Sequence, residues 1–336
     1  MEVLQICQNS QSQKMNNIII TSAGKRVSLV QAFQNELKVL IPNQKVFTAD
    51  ANPSLAAACM VSDHSFSVPR LDNLCYIDEL VELCIKNNIR LIIPTVDTEL
   101  LLLSENKEKF ISYNINPVIS SISFIKNCRD KRKIHTFFKD HNIDVANEYS
   151  KTNYNLPLFI KPIDGSRSVN NYIIKSESDF IDLQFKNDDL IFLEYFDNKE
   201  FQEYTCDLYY GRDDQLKCVV PRKRIEVRDG EVIKGKTEKN ILVDYIQEKL
   251  DVIKGARGCL TAQFFKRKDS NEIVGIEINP RFGGGYPLSY QAGANYPKWI
   301  IEEYLLNKSI NPYDGWQDNL LMLRYDKEIF LENSNA

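Results

Sequence analysis

The chain has 336 residues, 43% hydrophobic and 26% charged, which suits a globular protein of two or three domains with adjoining cores. Its formal charge of −4 and pI near 5.6 argue against general nucleic-acid binding, which leans on positive surface, and no apolar run approaches the roughly 18 residues a membrane span needs. Eight scattered cysteines (7, 59, 75, 84, 128, 206, 218 and 259) without a C-x-x-C pair, and only three histidines (64, 135 and 141), indicate a reduced, cytoplasmic protein without a zinc centre.

Residues 1–16 are polar and rich in Gln, Asn and Ser up to Met15. They lack the basic and apolar stretches of a secretory signal and read as a poorly ordered extension, with Met15 an alternative start. Ile18–Gly24 is an apolar strand running into a small-residue turn, and Val27–Leu40 carries helical spacing at Val27, Val30, Ala32, Phe33 and Leu37. Strands at Val46–Asp50 and Arg90–Pro94, with a helix at Ile77–Asn87 between them, predict a parallel sheet covered on both faces, a Rossmann-like opening. The turn holds one glycine instead of G-x-G-x-x-G, so a dinucleotide is not expected, and Asp50 reads as a loop or helix-start residue.

A helical stretch is expected from Ile119 to His141, then a strand at Leu158–Pro162, a Gly/Ser loop over 164–171 and a return strand at Tyr172–Lys175. Leu190–Tyr195 is a short strand where a hinge could lie. A larger sheet follows, from Glu203–Tyr210, Leu216–Pro221, Gly258–Lys266 and Glu272–Asn279, with helices at Glu238–Lys254 and Pro297–Leu306. The last strand is the most informative. Ile276 and Ile278 alternate with Glu277 and Asn279, so the carboxylate and amide share one face, where oxygen ligands could share Mg²⁺. Arg281 follows on the same parity and could neutralise charge on a transferred phosphoryl group.

Glu277, Asn279, Pro280 and Arg281, with Gln263 fourteen positions before Glu277, resemble the magnesium site of ATP-grasp ligases. The segments Asn17–Arg26, Pro221–Val227 and Ile276–Leu288, taken together and in order, make the likeness specific from about Asn17 to Tyr304. Within that superfamily the chain resembles a stand-alone version of one synthetase half of carbamoyl-phosphate synthase. The resemblance implies a Rossmann-like α/β pre-ATP-grasp lead domain (17–118) followed by a two-lobed α+β ATP-grasp domain. Its small lobe is expected at 119–190 and its large lobe, with the metal and catalytic site, at 191–330. ATP and magnesium are the implied cofactors, with two metal ions and manganese able to substitute.

Carried over residue by residue, the resemblance assigns Gln263, Glu277 and Asn279 to the metal, Lys161 to the nucleotide phosphates and Lys131 to the phosphate or adenine side. Gly165, Ser166, Arg167 and Ser168 form a loop that would close over the phosphates. Glu194 and Tyr195 read adenine, Phe192 and Leu193 line the purine pocket, and Glu203 binds ribose with Glu200 as competitor. Arg281 with Arg222, Lys223 and Arg224 would serve the chemistry, without a choice among the last three. Lys25, Arg26, Asp97, Glu99 and Lys234 are candidates toward substrate: Arg26 could pair with a carboxylate and Glu99 with an ammonium. The implied reaction is ATP-dependent joining of a small-molecule carboxylate to an amine through an acyl-phosphate. A kinase with no amine substrate and a non-catalytic nucleotide-binding module are the alternatives. Homodimers are common among such proteins.

Overall fold

Every residue of the Asn17–Thr21 strand is buried, and the sheet is built outward from it. A computed structural model describes residues 16–164, 170–228 and 230–332. The extension expected over 1–16 falls almost wholly outside them. The first sheet is parallel, in the spatial order His64–Ser67, Val46–Asp50, Asn17–Thr21, Ile89–Pro94, Asn116–Pro117. Isoleucines at 18, 19 and 20 fill both faces, and helices Val27–Leu40 and Tyr76–Lys86 cover them. The strand order reverses between Asn17–Thr21 and Ile89–Pro94. The loops leaving these two strands, Ser22–Arg26 and Thr95–Val96, therefore flank the crevice where open α/β sheets bind ligands.

The small lobe is a four-stranded antiparallel sheet, Glu148–Tyr149, Leu190–Glu194, Leu158–Pro162 and Tyr172–Ile174, with Phe180, Phe185 and Phe192 packed on one face. The large lobe is a seven-stranded sheet. Leu321–Leu323 lies at one edge, followed by Glu231–Thr237, Leu216–Arg228, Phe201–Tyr210, Gly258–Arg267, Ile273–Asn279 and the short Asp144–Val145.

The stretch from Ile119 to His141 is two helices, Ile122–Arg129 and Lys131–Asp140, parted at Asp130, whose side chain accepts from the Arg132 N–H and caps the second. Phe124, Cys128, Ile134 and Phe138 of these helices sit in the core of the large lobe with Phe264 and Ile278, and Asp144–Val145 pairs with Val274 and Gly275. The small lobe thus spans about 148–194 and does not begin at 119; apolar spacing could not say which sheet the helices would cover. The lead domain and large lobe also share a core, in which Phe33 meets Phe282 edge-on at 6.0 Å. Among the described residues no helix is long and apolar enough to cross a membrane.

Candidate active site

A cavity of about 810 Å³ lies between the two lobes and is closed at one end by the lead domain. Its floor is the large sheet. Register places Glu277 opposite Gln263, Gln263 opposite Thr205 and Thr205 opposite Arg222, a row of polar side chains across four strands. The next row sets Asn279 opposite Thr261 and Thr261 opposite Asp207. The parity argument that paired Glu277 with Asn279 therefore agrees with the sheet. It fails at Ile276. Gln263 faces Glu277 whereas Phe264 faces Gly275, so a bulge accommodates Ile276 and turns it into the cavity beside Glu277.

Glu277 is the hub. Its Oε1 accepts from Gln263 Nε2 at 2.9 Å and from Asn279 Nδ2 at 2.8 Å, and its Oε2 lies 3.6 Å from Lys131 Nζ. Burial alone would raise its pKa, but Lys131 and Lys161 outweigh that and hold it below the usual carboxylate range. Lys161 comes from the small-lobe strand facing the floor. Burial lowers its pKa to about 8, against the attraction of Glu277 and with help from Lys131. His135 stands one helical turn beyond Lys131 and also lines the cavity; burial, then the nearby lysines, hold it at about 4, so it is neutral at pH 7.

Among the described residues no three His, Cys, Asp or Glu side chains converge to hold a metal. The donors at hand are one carboxylate and the amide oxygens of Gln263 and Asn279. That set fits a hard cation whose remaining positions go to phosphate oxygens and water, and it does not fit zinc.

Of the nucleotide candidates, Lys131, Lys161, Glu194, Tyr195 and Glu203 all line the cavity. Glu194 accepts from Asn147 through both its backbone N–H (3.2 Å) and its Nδ2 (2.7 Å), fixing the lobe junction. Glu203 sits 3.3 Å from Arg224, its pKa raised by burial despite that cation. Glu200 lies off the cavity, paired with Arg267 at 2.8 Å, so of these two carboxylates only Glu203 lines it. Leu193 lines the cavity, whereas Phe192 points into the small-lobe core. Gly165, Ser166, Arg167 and Ser168 lie outside the described residues.

The basic run separates by strand parity. Arg222 and Arg224 line the cavity and Lys223 does not. Arg222 is 1% exposed and holds Asp207 through Nε (2.7 Å) and Nη2 (3.0 Å), Asp207 also accepting from Ser289 Oγ at 2.6 Å. Arg222 is thus first a buried ion pair, a partner that sequence could not supply because it depends on sheet register. Its Nη1 is buried without a partner among the described residues, as is Arg224 Nε.

At the lead-domain end, Lys25, Arg26, Asp97 and Arg281 meet. Arg281 donates through Nε (3.1 Å) and Nη2 (2.7 Å) to Asp97 Oδ2. Two substrate candidates are not brought to the cavity. Lys234 pairs with Glu226 at 2.5 Å outside it, and Glu99 is fully buried behind Ser22, accepting from Ser22 Oγ (2.8 Å) and Tyr76 OH (2.6 Å). Glu99 is therefore placed to brace the Ser22 loop, with no path to an ammonium. Asp50 likewise braces that loop, accepting from Gly24 N–H at 3.0 Å.

Sequence reasoning missed His135, Glu231 and Arg324. His135 was findable, four residues after Lys131 on one helix face. Glu231 takes Lys25 (3.0 Å) and Arg324 (2.9 Å), a contact made only because Leu321–Leu323 joins the sheet edge.

Comparison with known proteins agrees with this architecture. Residues 18–119 match the family model described as the PylC-like N-terminal domain, and residues 186–319 match that of the ATP-grasp in the biosynthetic pathway with Ter operon. No curated protein sequence matches the chain. Rhizobium etli pyruvate carboxylase aligns with a TM-score of 0.69 and 15% identity, over 91% of this chain but 30% of that one. The biotin carboxylase domain of Hydrogenobacter thermophilus 2-oxoglutarate carboxylase, solved as a dimer with MgADP and bicarbonate, gives 0.69 and 14% over 91% and 73%. The L-amino acid ligase of Bacillus licheniformis gives 0.65 and 14% over 87% and 75%. This chain thus spans less than a third of the first and about three quarters of the other two. The chain carries a PylC-like lead domain over 18–119 joined to an ATP-grasp domain over 186–319, in the ATP-grasp fold.

Proposed function

We propose that the protein joins a small-molecule carboxylate to an amine at the expense of ATP, releasing ADP and phosphate. The observation that carries this reading is the placement of Glu277 between two phosphate-directed lysines on one side and the Arg281–Asp97 pair on the other. The nucleotide would lie under the small-lobe sheet, with Lys131 and Lys161 at its phosphates and Glu203 at the ribose. Bound magnesium, one ion or two, would be held by Glu277, Gln263 and Asn279 and would neutralise phosphate charge; manganese has the same preference for oxygen donors.

Arg281 would hold the acid so that one carboxylate oxygen faces the γ-phosphorus. That oxygen forms the new P–O bond as the bond to the β-phosphate bridging oxygen breaks, giving an acyl-phosphate and ADP. The amine nitrogen then attacks the acyl carbon, inorganic phosphate leaves with the C–O bonding pair, and the nitrogen gives up a proton. The protein supplies position and charge and no covalent nucleophile. No cysteine among the described residues lines the cavity, and burial pushes up the pKa of the Cys128, Cys206 and Cys259 thiols.

The test is ADP release over a matrix of carboxylic acids crossed with ammonia and amino acids, products read by mass spectrometry. Release that needs both partners, with a product one water lighter than their sum, supports the reading. A phosphorylated product that forms without an amine would replace it with a kinase.

A further inference from the structure

At the lead-domain end of the cavity the ion pairs can be assigned one by one. Arg281 is held by Asp97, Lys25 and Arg324 share Glu231, Arg222 has Asp207 and Arg224 has Glu203. Arg26 alone among these cations has neither an ion pair nor a side-chain hydrogen bond among the described residues. It is half-buried in the cavity wall. Glu231 and Asp97 act on its charge from a distance, but each is engaged by another cation, and burial together with Arg281 lowers its pKa to about 10, still well above neutrality.

Its surroundings are built and rigid. Ser22 holds φ +50, a conformation that costs a non-glycine residue energy, and is pinned there by Thr95 Oγ1 donating to its carbonyl at 2.7 Å and by its own hydroxyl on Glu99. Gly24 is tied to Asp50. On the facing turn, a Cβ at Gly284 would stand 3.3 Å from Arg26 Nη1, so the missing side chain keeps the guanidinium clear. The buried, partnerless Nη1 of Arg222 lies directly under the next residue, Gly285, adding positive potential beneath the same turn. A desolvated cation on a preorganised loop gains most from an anion brought by a ligand. The nucleotide is an unsuitable source, because its lysines cluster around Glu277 and Glu203, and the charges acting on Arg26 are a different set.

We propose that Arg26 is the anchor for a second anionic group on the acid substrate, separate from the carboxylate held by Arg281. The substrate acid is then a dianion: a dicarboxylate, or a carboxylic acid bearing a phosphate. This rests on the ligase reading for what the second group is attached to, but the site can be measured by binding alone.

The experiment titrates the full chain, with ADP and magnesium present, with C3–C6 dicarboxylates, phosphate-bearing carboxylic acids and matched monocarboxylates. Calorimetry and melting temperature are the readouts, on wild type, Arg26→Met and Arg26→Lys. Wild type should bind at least one dianion about tenfold or more tightly than its monoanionic match. Arg26→Met should lose that preference and Arg26→Lys keep part of it, both binding ADP as wild type does. Which class shows the preference identifies the second group. Equal binding of dianions and monoanions by wild type, or a preference that survives in Arg26→Met, overturns the proposal. A preference that depends on Arg26, with no ADP release for any acid and amine, would uphold the anion site and reject the ligase reading instead.

Discussion

Arg281 reaches across 184 residues of sequence to grip Asp97, at the first turn of the helix Asp97–Glu105, through two nitrogens on a single carboxylate oxygen. Arg281, the cation proposed to hold the acid, is thereby oriented by the lead domain. Asp97→Asn should keep the shape but remove the charge, leaving Arg281 to swing. Loss of this half-buried pair is expected to cost about 1–3 kcal/mol of stability and to lower kcat more than it changes ATP affinity. Thermal melts and steady-state kinetics check both; a fall in ATP affinity with kcat intact would mean that Asp97 serves the nucleotide.

Glu277→Gln removes a charge without changing volume. Turnover should fall by about 10²–10³-fold or more, because charge at the phosphates would be left uncompensated, while the melting temperature moves little. Near-normal turnover would remove Glu277 from the metal site.

With Lys161 at the phosphates as proposed, nucleotide binding should be pH-dependent. Only its charged form attracts phosphate, so ATP affinity should decline as pH rises through about 8, and Lys161→Met should weaken ATP by about 1.5–3 kcal/mol and flatten that profile. The sign for the ligand-free protein is opposite. Its folded pKa lies below the ordinary lysine value of 10.5, so the unfolded chain holds the proton more tightly, and this group adds stability as pH rises from about 8 to 10.5. Calorimetric titration of ATP across that range separates the two effects.

How much of this could be read from the sequence differs by feature. Glu277 and Asn279 on one face follow from strand period, and so does the separation of Arg222 and Arg224 from Lys223. The bulge at Ile276 left no trace in the alternation, because an apolar residue suits either face. Register is what joined Arg222 to Asp207, and register between distant strands is set by packing. Glu99 was misplaced for a related reason: the residues after Pro94 begin a helix, and its phase turns Glu99 inward to Tyr76. Glu203 is separated from its competitor Glu200 by the turn that ends at Glu200, which leaves Glu200 with Arg267 while Glu203, on the strand, lines the cavity.

Two neighbouring glycines give a clean contrast. A Cβ at Gly285 would lie 2.1 Å from Arg222 Nη1, and the buried Arg222 has no room to retreat without losing Asp207. Gly285→Ala should destabilise the fold by about 1–3 kcal/mol or more, and Gly284→Ala, facing the more open Arg26 at 3.3 Å, by clearly less. Denaturant melts of the two variants measure the difference directly; equal effects would show that the turn yields as a unit.

The acid is proposed to be activated by phosphorylation on its carboxylate. That step is tested most directly by labelling that carboxylate with ¹⁸O, using an acid and amine pair that supports ADP release, and weighing the phosphate formed. One ¹⁸O is expected in each phosphate released and one in the amide. Phosphate that carries no label, with both ¹⁸O atoms still on the acid, would contradict this activation.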